Sequence, residues 1–350
     1  MKNILYLVLL FAVNSLFGQD ICNCDKALNN LIAKIESDYP GFKEKTKAHT
    51  ELYNHQKTAA ITISKTVNNQ DCITVLNGYI SFFKDEHIFI EAVTKNEVEV
   101  TNSNNKETEP EVEVRVLTHD IFYLKISSFR YENITLVKEL VEKNKKQIAK
   151  SKALIIDVRD NFGGTDDVYQ PLLPYILTNP LRIMNVEFLS TPTLINGLRD
   201  YALQNEHKDS LNAIRDIEEG LKEYNENLGE FVLYNGQKVT IDTIPLNAKS
   251  PEQIIILANE NVASAGENFL FSSRQSKKVK ILGTPSMGVL DYGSIREFKF
   301  GCDNFILYLP TYRSSRLPQY PIDNIGIQPD VYLDETVEDW LDFAIRYINE

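Results

Sequence analysis

The order of hydrophobic and polar residues predicts helices at the start of the chain and alternating strands and helices after them. From about residue 20 to residue 83, apolar residues recur three and four positions apart, which is typical of amphipathic helices. Beyond residue 84 the apolar residues gather in short runs. Two of these runs, 153–158 and 253–257, are almost continuous and indicate strands that are buried on both faces. This alternation predicts an α/β core.

The same pattern places the remaining elements. Further strands are expected at 84–93, 112–116, 121–126 and 279–282, with a pair of strands within 294–309. Helices are expected at 133–149, 167–177, 264–273 and 336–347. Residues 180–250 read as a long insertion, with a charged helix at 211–223 and a hairpin whose turn is Asn235-Gly236.

The first residues have the features of a signal peptide. Lys2 precedes an apolar run from Ile4 to Val13, and Asn14, Ser15 and Gly18 follow, with the small Gly18 at a plausible cleavage point. The run is too short to span a bilayer, which takes roughly 20 residues. We therefore expect a signal peptide at 1–18, a helical domain at 19–83 and the core domain at 84–350. The expected location is the periplasm or the extracellular medium, with no membrane insertion after cleavage.

Charge and cysteine content narrow the class of partner. The chain has 37 basic and 49 acidic residues, a formal net charge of −12, and no basic block, which argues against nucleic acid as a partner. Its four cysteines would survive signal cleavage, and an even count in an exported protein suggests disulfides. Cys22 and Cys24 are placed to tie a terminal helix to Cys72, although the pairing stays open. No Cys/His cluster has metal-ligand spacing, so neither a metal nor another cofactor is expected.

Ser264 stands where a nucleophile could stand. A buried strand ends near Leu257, a polar turn follows, and a helix is predicted to begin at Ser264. A serine at such a turn presents its hydroxyl beside the free backbone N–H of Ala265, which is the arrangement that acyl transfer needs. An ordinary helix-capping serine is the alternative.

A pair of glycines follows the other buried strand. Gly163 and Gly164 come after the polar segment 157–161, and consecutive glycines allow backbone N–H groups to approach an anion closely. A simple tight turn is the alternative interpretation of this pair.

Together these segments resemble a known family. The stretches "IIDVRDNFGG", "NVASAGENF", "ILGTPSMG" and "IGIQPD" occur in the order found in the serine peptidase family of the C-terminal processing proteases, tricorn protease and interphotoreceptor retinoid-binding protein. The resemblance covers roughly residues 80–335 and matches 180–250 poorly. It implies a ClpP/crotonase-like core, Ser264 as nucleophile, and oxyanion donors at Ala265 and at Gly163 or Gly164. The gap between Ile90 and Val112 is too short for the PDZ domain of the processing proteases.

One departure from the family decides which mechanism the resemblance implies. The processing proteases use a lysine after the loop glycine, and here that position is Val289. The resemblance to the tricorn-like branch instead implies His87 as general base and Asp323 as the acid that orients it. That branch has glutamate at the acid position and serine before the histidine, where this chain has Asp323 and Glu86. His119 is the local rival for the base.

The expected function is therefore an exported serine peptidase that acts on peptides or proteins. Two alternatives remain open at this point. One is a non-catalytic ligand-binding protein on the same fold, because a protein that no longer catalyses a reaction has no need of the family lysine. The other is an esterase-type hydrolase, since acyl transfer needs the same groups for esters and peptides. Oligomeric state is left unknown.

Overall fold

The computed structural model describes residues 23–68, 71–93, 110–205, 211–246 and 251–350. The helices of this part are α1 Cys24–Asp38, α2 Phe42–Lys47, α3 Thr50–Ser64, α4 Cys72–Ile80, α5 Asn133–Lys150, α6 Leu173–Ile176, α7 Pro192–Asn205, α8 Leu211–Gly220, α9 Lys222–Glu226, α10 Ala265–Ser273 and α11 Trp340–Asn349. The strands are β1 Phe89–Ala92, β2 Val112–Val116, β3 Ile121–Ile126, β4 Ala153–Asp157, β5 Leu181–Met184, β6 Val186–Leu189, β7 Phe231–Leu233, β8 Val239–Asp242, β9 Gln253–Ala258, β10 Val279–Gly283, β11 Tyr292–Gly293, β12 Arg296–Phe298, β13 Phe305–Leu309, β14 Tyr312–Ser314 and β15 Val331–Tyr332.

A six-stranded sheet forms the centre of the fold. Its strand order is β15-β10-β9-β4-β3-β2, and all neighbours run parallel except the antiparallel pair β2 and β3. Every residue of β4 is buried, and only the first residue of β9 is exposed. Continuous Ile and Leu runs suit these strands because helices cover both faces of a parallel sheet. The predicted α/β core is confirmed.

Two layers of helix close this sheet. One face packs against α5, α6 and α10 in the largest hydrophobic cluster, in which Phe129 and Phe269 are fully buried. The opposite face packs against α11 through Ala344 and Ile348. Because β4 and β9 are parallel neighbours, their carboxyl ends lie at the same edge of the sheet, and the turns that follow them lie together.

The N-terminal helices share a core with a second sheet. Residues of α1, α3 and α4 pack against the three-stranded sheet β1-β13-β12, and Leu307 and Leu309 are fully buried between them. The predicted tie between the terminal helix and Cys72 is present as the disulfide Cys24–Cys72, and Cys302 is also disulfide-bonded. The expected signal peptide lies outside the described residues, and the division of the chain at residue 84 stays a prediction.

Two predicted elements differ from the structure. The helix expected at 167–177 is two short 3₁₀ turns followed by α6, because Pro171 and Pro174 cannot donate the backbone bonds of a continuous helix. The hairpin expected at Asn235-Gly236 is also wrong. The flanking strands β7 and β8 pair with β6 and β5, not with each other, so the segment that contains this pair of residues connects two different sheets.

No helix in the described part of the chain combines the length and the apolar character that crossing a bilayer requires.

Candidate active site

Ser264 occupies a strained position between β9 and α10. Its backbone has φ 52° and ψ −116°, a combination that non-glycine residues rarely adopt and that costs on the order of 1–3 kcal/mol. The surrounding turn is fixed by neighbouring bonds: the N–H of Ala263 donates to the carbonyl of Asn161 at 3.0 Å, and the N–H of Gly266 donates to the carbonyl of Ala263 at 2.8 Å. The N–H of Ala265 has no backbone acceptor among the described residues.

The glycine pair lies directly against this turn. A Cβ on Gly163 would stand 2.9 Å from the Cβ of Ser264 and 3.0 Å from the nitrogen of Ala265, so only glycine fits. The N–H of Gly163 already donates to Oδ1 of Asn161 at 2.9 Å. Gly164 instead packs against the backbone of Phe129, and its own N–H has no acceptor in the described part of the chain. The sequence analysis allowed either glycine as an oxyanion donor. In the structure the two differ, because the N–H of Gly163 already has an acceptor and the N–H of Gly164 has none among the described residues.

The structure also adds an acid that the sequence analysis missed. Glu267 is fully buried and accepts hydrogen bonds from the N–H of Ser264 at 3.3 Å and of Val289 at 2.8 Å. The spacing Ser264-Ala-Gly-Glu267 is that of a capping box, and this signal could have found the residue. Burial raises the pKa of Glu267, and the donors around it act in the opposite direction.

His87 is buried at the start of the segment that leads into β1. Its Nδ1 lies 2.7 Å from the carbonyl oxygen of Tyr292, and its own N–H donates to Asp85. Because a carbonyl can only accept, this contact places a proton on Nδ1 and leaves the lone pair of a neutral imidazole on Nε2. Among the described residues, no hydrogen bond joins His87 to Ser264, and no carboxylate forms an ion pair with the ring.

Asp323 lies in a buried acidic group next to this histidine segment. Its Oδ1 accepts from the N–H of Asp291 at 2.8 Å, and its Oδ2 is 3.6 Å from Nζ of Lys45. Burial, followed by repulsion from Asp85 and Asp291, raises the pKa of Asp323 to about 7. Among the described residues, no hydrogen bond joins Asp323 to His87. Nδ1 of His87 instead contacts the carbonyl of Tyr292, the residue after Asp291, whose N–H donates to Asp323.

The rival residues lie elsewhere. The His119 side chain is 98% exposed and pairs with Asp120, and His49 and His55 are also exposed. His207 lies outside the described residues. Val289, at the position of the family lysine, is buried and contributes only its backbone N–H to Glu267. The described part of the chain holds no group of three or more residues suited to a metal ion.

A family model matches more than half of the chain. Residues 120–333 match the family model described as Peptidase family S41. The chain belongs to peptidase family S41. It is a serine peptidase, and peptides or proteins are its substrates. A comparison with curated protein sequences gives no match.

Solved structures share the S41 fold at low sequence identity. Mature CPAF is 13% identical with a TM-score of 0.63, and the match covers 93% of this chain and 95% of that one. Mature CPAF complexed with lactacystin is also 13% identical, with a TM-score of 0.65 and coverage of 93% and 97%. A lipoprotein from Streptococcus agalactiae is 16% identical, with a TM-score of 0.53 and coverage of 99% of both chains.

This S41 peptidase has a cavity of about 290 Å³ next to the Ser264 turn. Three lining residues come from the three segments that surround Ser264: Asp166 follows the glycine pair, Asn268 is one helical turn beyond Ser264, and Leu290 follows Val289. The apolar part of the remaining wall includes Leu181, Ile183, Met184, Val186, Phe271 and Tyr312, and the polar part includes Gln170, Arg182, Asn185, Ser272, Ser314 and Arg316. The cavity therefore has a mixed apolar and polar lining, and it lies beside the segments that surround Ser264.

Proposed function

We propose that this S41 peptidase is exported and cleaves peptide bonds with Ser264 as nucleophile and His87 as general base. Oγ of Ser264 attacks the peptide carbonyl carbon, and its proton passes to Nε2 of His87. His87 then protonates the leaving amine, and water hydrolyses the acyl-enzyme by the same route. The observation that carries the proposal is the strained Ser264 turn with Gly163 packed against it.

The contacts of His87 support its role as base. The bond from Nδ1 to the Tyr292 carbonyl selects the tautomer with a free lone pair on Nε2, as a base for a serine requires. The exposed His119 has no comparable support from the protein interior. The absence of a hydrogen bond between His87 and Ser264 is compatible with catalysis, because such contacts often tighten only when substrate binds.

In this proposal Asp323 is the acid of the site, but it acts at one remove from the imidazole. Its carboxylate holds the N–H of Asp291, and the next residue, Tyr292, supplies the carbonyl that orients His87. The proposed oxyanion donors are the N–H of Ala265 and the N–H of Gly164. Gly164 is favoured over Gly163 because the Gly163 N–H is already bound by Asn161.

Export is supported by the disulfide chemistry. Cys24, Cys72 and Cys302 are all disulfide-bonded. Such bonds form and persist in oxidising compartments, which favours the periplasm or the extracellular medium. Secretion of a tagged full-length chain, with N-terminal sequencing of the mature product, tests this part of the proposal. A product that keeps residue 1 and stays in the cytoplasm contradicts it.

A fluorophosphonate probe tests the nucleophile and the base together. The purified protein is incubated with the probe, and the adduct is located by mass spectrometry. We expect labelling at Ser264 that is lost in Ser264→Ala and reduced at least about 100-fold in His87→Ala. The exposed His119→Ala is the matched control and should be labelled at the wild-type rate. Labelling of a different serine, or equal labelling of His87→Ala and wild type, contradicts the assignment.

A further inference from the structure

A single buried carboxylate connects the Ser264 turn to the loop that follows β10. Glu267 has no exposed surface, and no cation forms an ion pair with it among the described residues. In the described part of the chain, its two oxygens meet only hydrogen-bond donors. Oε1 accepts from the Ser286 hydroxyl at 2.5 Å and from the N–H of Gly288 at 2.8 Å, while Oε2 accepts from Val289 and Ser264.

These four donors belong to two separate segments. One is the N–H of Ser264 itself, and the other three come from the loop 286–289. A helix cap would need only the first of them. The loop is anchored in turn to the 322–327 segment, because Ser286 Oγ accepts from the N–H of Ile327 at 2.7 Å and the N–H of Asn324 donates to the Gly288 carbonyl at 2.9 Å.

We propose that Glu267 is a positioning residue that holds Ser264 in its strained conformation and fixes the 286–289 loop against it. The inference rests on Ser264 as the nucleophile of the proposed function. Glu267 accepts from the Ser264 N–H, so this N–H is not among the donors proposed for the oxyanion. Val289 stands at the position of the lysine of the processing proteases, and its backbone N–H is one of the four donors to Glu267.

The chemistry of Glu267 predicts what its replacement does. Glu267→Gln keeps the shape of the side chain but turns one oxygen into an NH₂ group that faces N–H donors. At least one segment must then move away. Because small displacements of a reacting group cost about 100-fold in rate, we expect Ser264 to lose reactivity while binding of a small probe is retained.

The experiment measures phosphonylation by a fluorophosphonate at several probe concentrations, which separates the maximal rate of labelling from the apparent affinity. We expect Glu267→Gln to lower the maximal rate about 100-fold with unchanged affinity, and Ser286→Ala to lower it about 10-fold. The double variant should be no slower than Glu267→Gln, because the two residues act as one unit. Glu260→Gln, an exposed carboxylate in the preceding turn, is the matched control and should keep the wild-type rate.

The outcomes separate the two proposals. Labelling that survives in Ser264→Ala overturns the proposed function. Ser264-dependent labelling with a Glu267→Gln rate within twofold of wild type overturns this inference alone. If Glu267→Gln does not fold, the Ser286→Ala rate decides. A crystal structure of Glu267→Gln gives a readout that needs no labelling: we expect φ of Ser264 to relax to negative values, and a φ that stays near 52° overturns the inference.

Discussion

A Cβ on Gly163 would stand 2.9 Å from the Cβ of Ser264, which is closer than real Cβ atoms approach. The φ of Gly163 is 95°, a backbone conformation that residues with a side chain rarely adopt, even where this contact is absent. The glycine is therefore required both by its own conformation and by the residue next to it.

Gly163→Ala should push the Ser264 turn out of place. We expect at least a 100-fold loss of fluorophosphonate labelling and a loss of stability of about 2 kcal/mol, measured by urea unfolding. Gly78→Ala is the control, because a Cβ at this helix position meets nothing within 4 Å. It should leave labelling unchanged and raise stability by about 0.5–1 kcal/mol. Wild-type labelling in Gly163→Ala would contradict the close packing described.

Asp323 should make stability depend on pH near neutrality. An acid whose pKa is raised in the folded state binds more protons when folded, so its contribution to stability falls as pH rises from about 4 to about 7. Asp323→Asn does not titrate. Its free energy of unfolding relative to wild type should therefore rise across this window by up to roughly 4 kcal/mol and become level above it.

The control for this pH dependence is Asp160→Asn. Hydrogen bonds from Asn261 and Asn259 lower the pKa of Asp160, so wild type gains stability from this group above the ordinary pKa of aspartate and loses it as pH falls. The relative stability of Asp160→Asn should therefore change with the opposite sign, below about pH 4. Parallel curves for the two variants between pH 3 and 8 would contradict the assignment to Asp323.

Arg316 should be among the most sensitive charged residues for stability. Its guanidinium donates to Asp291 at 3.1 Å and to the Leu290 carbonyl at 2.8 Å, and both members of the ion pair are buried. Arg316→Met leaves Asp291 without its cation and should cost about 3–5 kcal/mol in the free energy of unfolding. Arg346→Met, which breaks an exposed helical pair with Asp342, should cost less than about 1 kcal/mol. Equal losses of unfolding free energy in the two variants would mean that the buried ion pair stabilises the fold no more than the exposed one does.

The disulfide between Cys24 and Cys72 closes a separation of 48 residues. Constraint of the unfolded chain over a loop of this length is worth about 4 kcal/mol. The double variant Cys24→Ser with Cys72→Ser should lose stability of this order, measured by urea unfolding under oxidising conditions. Dithiothreitol should lower the stability of wild type at least as much. A variant as stable as wild type would show that the helical packing alone holds α1 in place.

Sequence patterns were sufficient for the central sheet and for the turn that carries Ser264. The runs in β4 and β9 predicted buried parallel strands because their Ile and Leu residues leave no polar face. Prediction failed where the partner of a segment lies far away in sequence. Asn235-Gly236 has the local chemistry of a hairpin turn, but β6 and β5 compete for the flanking strands.

The candidate site could be predicted only as far as short sequence motifs indicate single residues. Ser264 and the glycine pair could be proposed from local pattern, and His87 from the family resemblance. The contact between His87 and the Tyr292 carbonyl joins residues 205 positions apart, and backbone atoms leave no sequence signature of such a contact. The proposal of Gly164 rather than Gly163 as an oxyanion donor also rests on the side chain of Asn161, whose direction is determined by the fold.

The two proposed catalytic side chains are held by different cores. Ser264 directly precedes α10, which packs against the six-stranded sheet, whereas His87 leads into β1, which packs with the N-terminal helices. In the proposed mechanism, cleavage therefore needs both cores to be folded and packed together, because neither core alone carries both side chains.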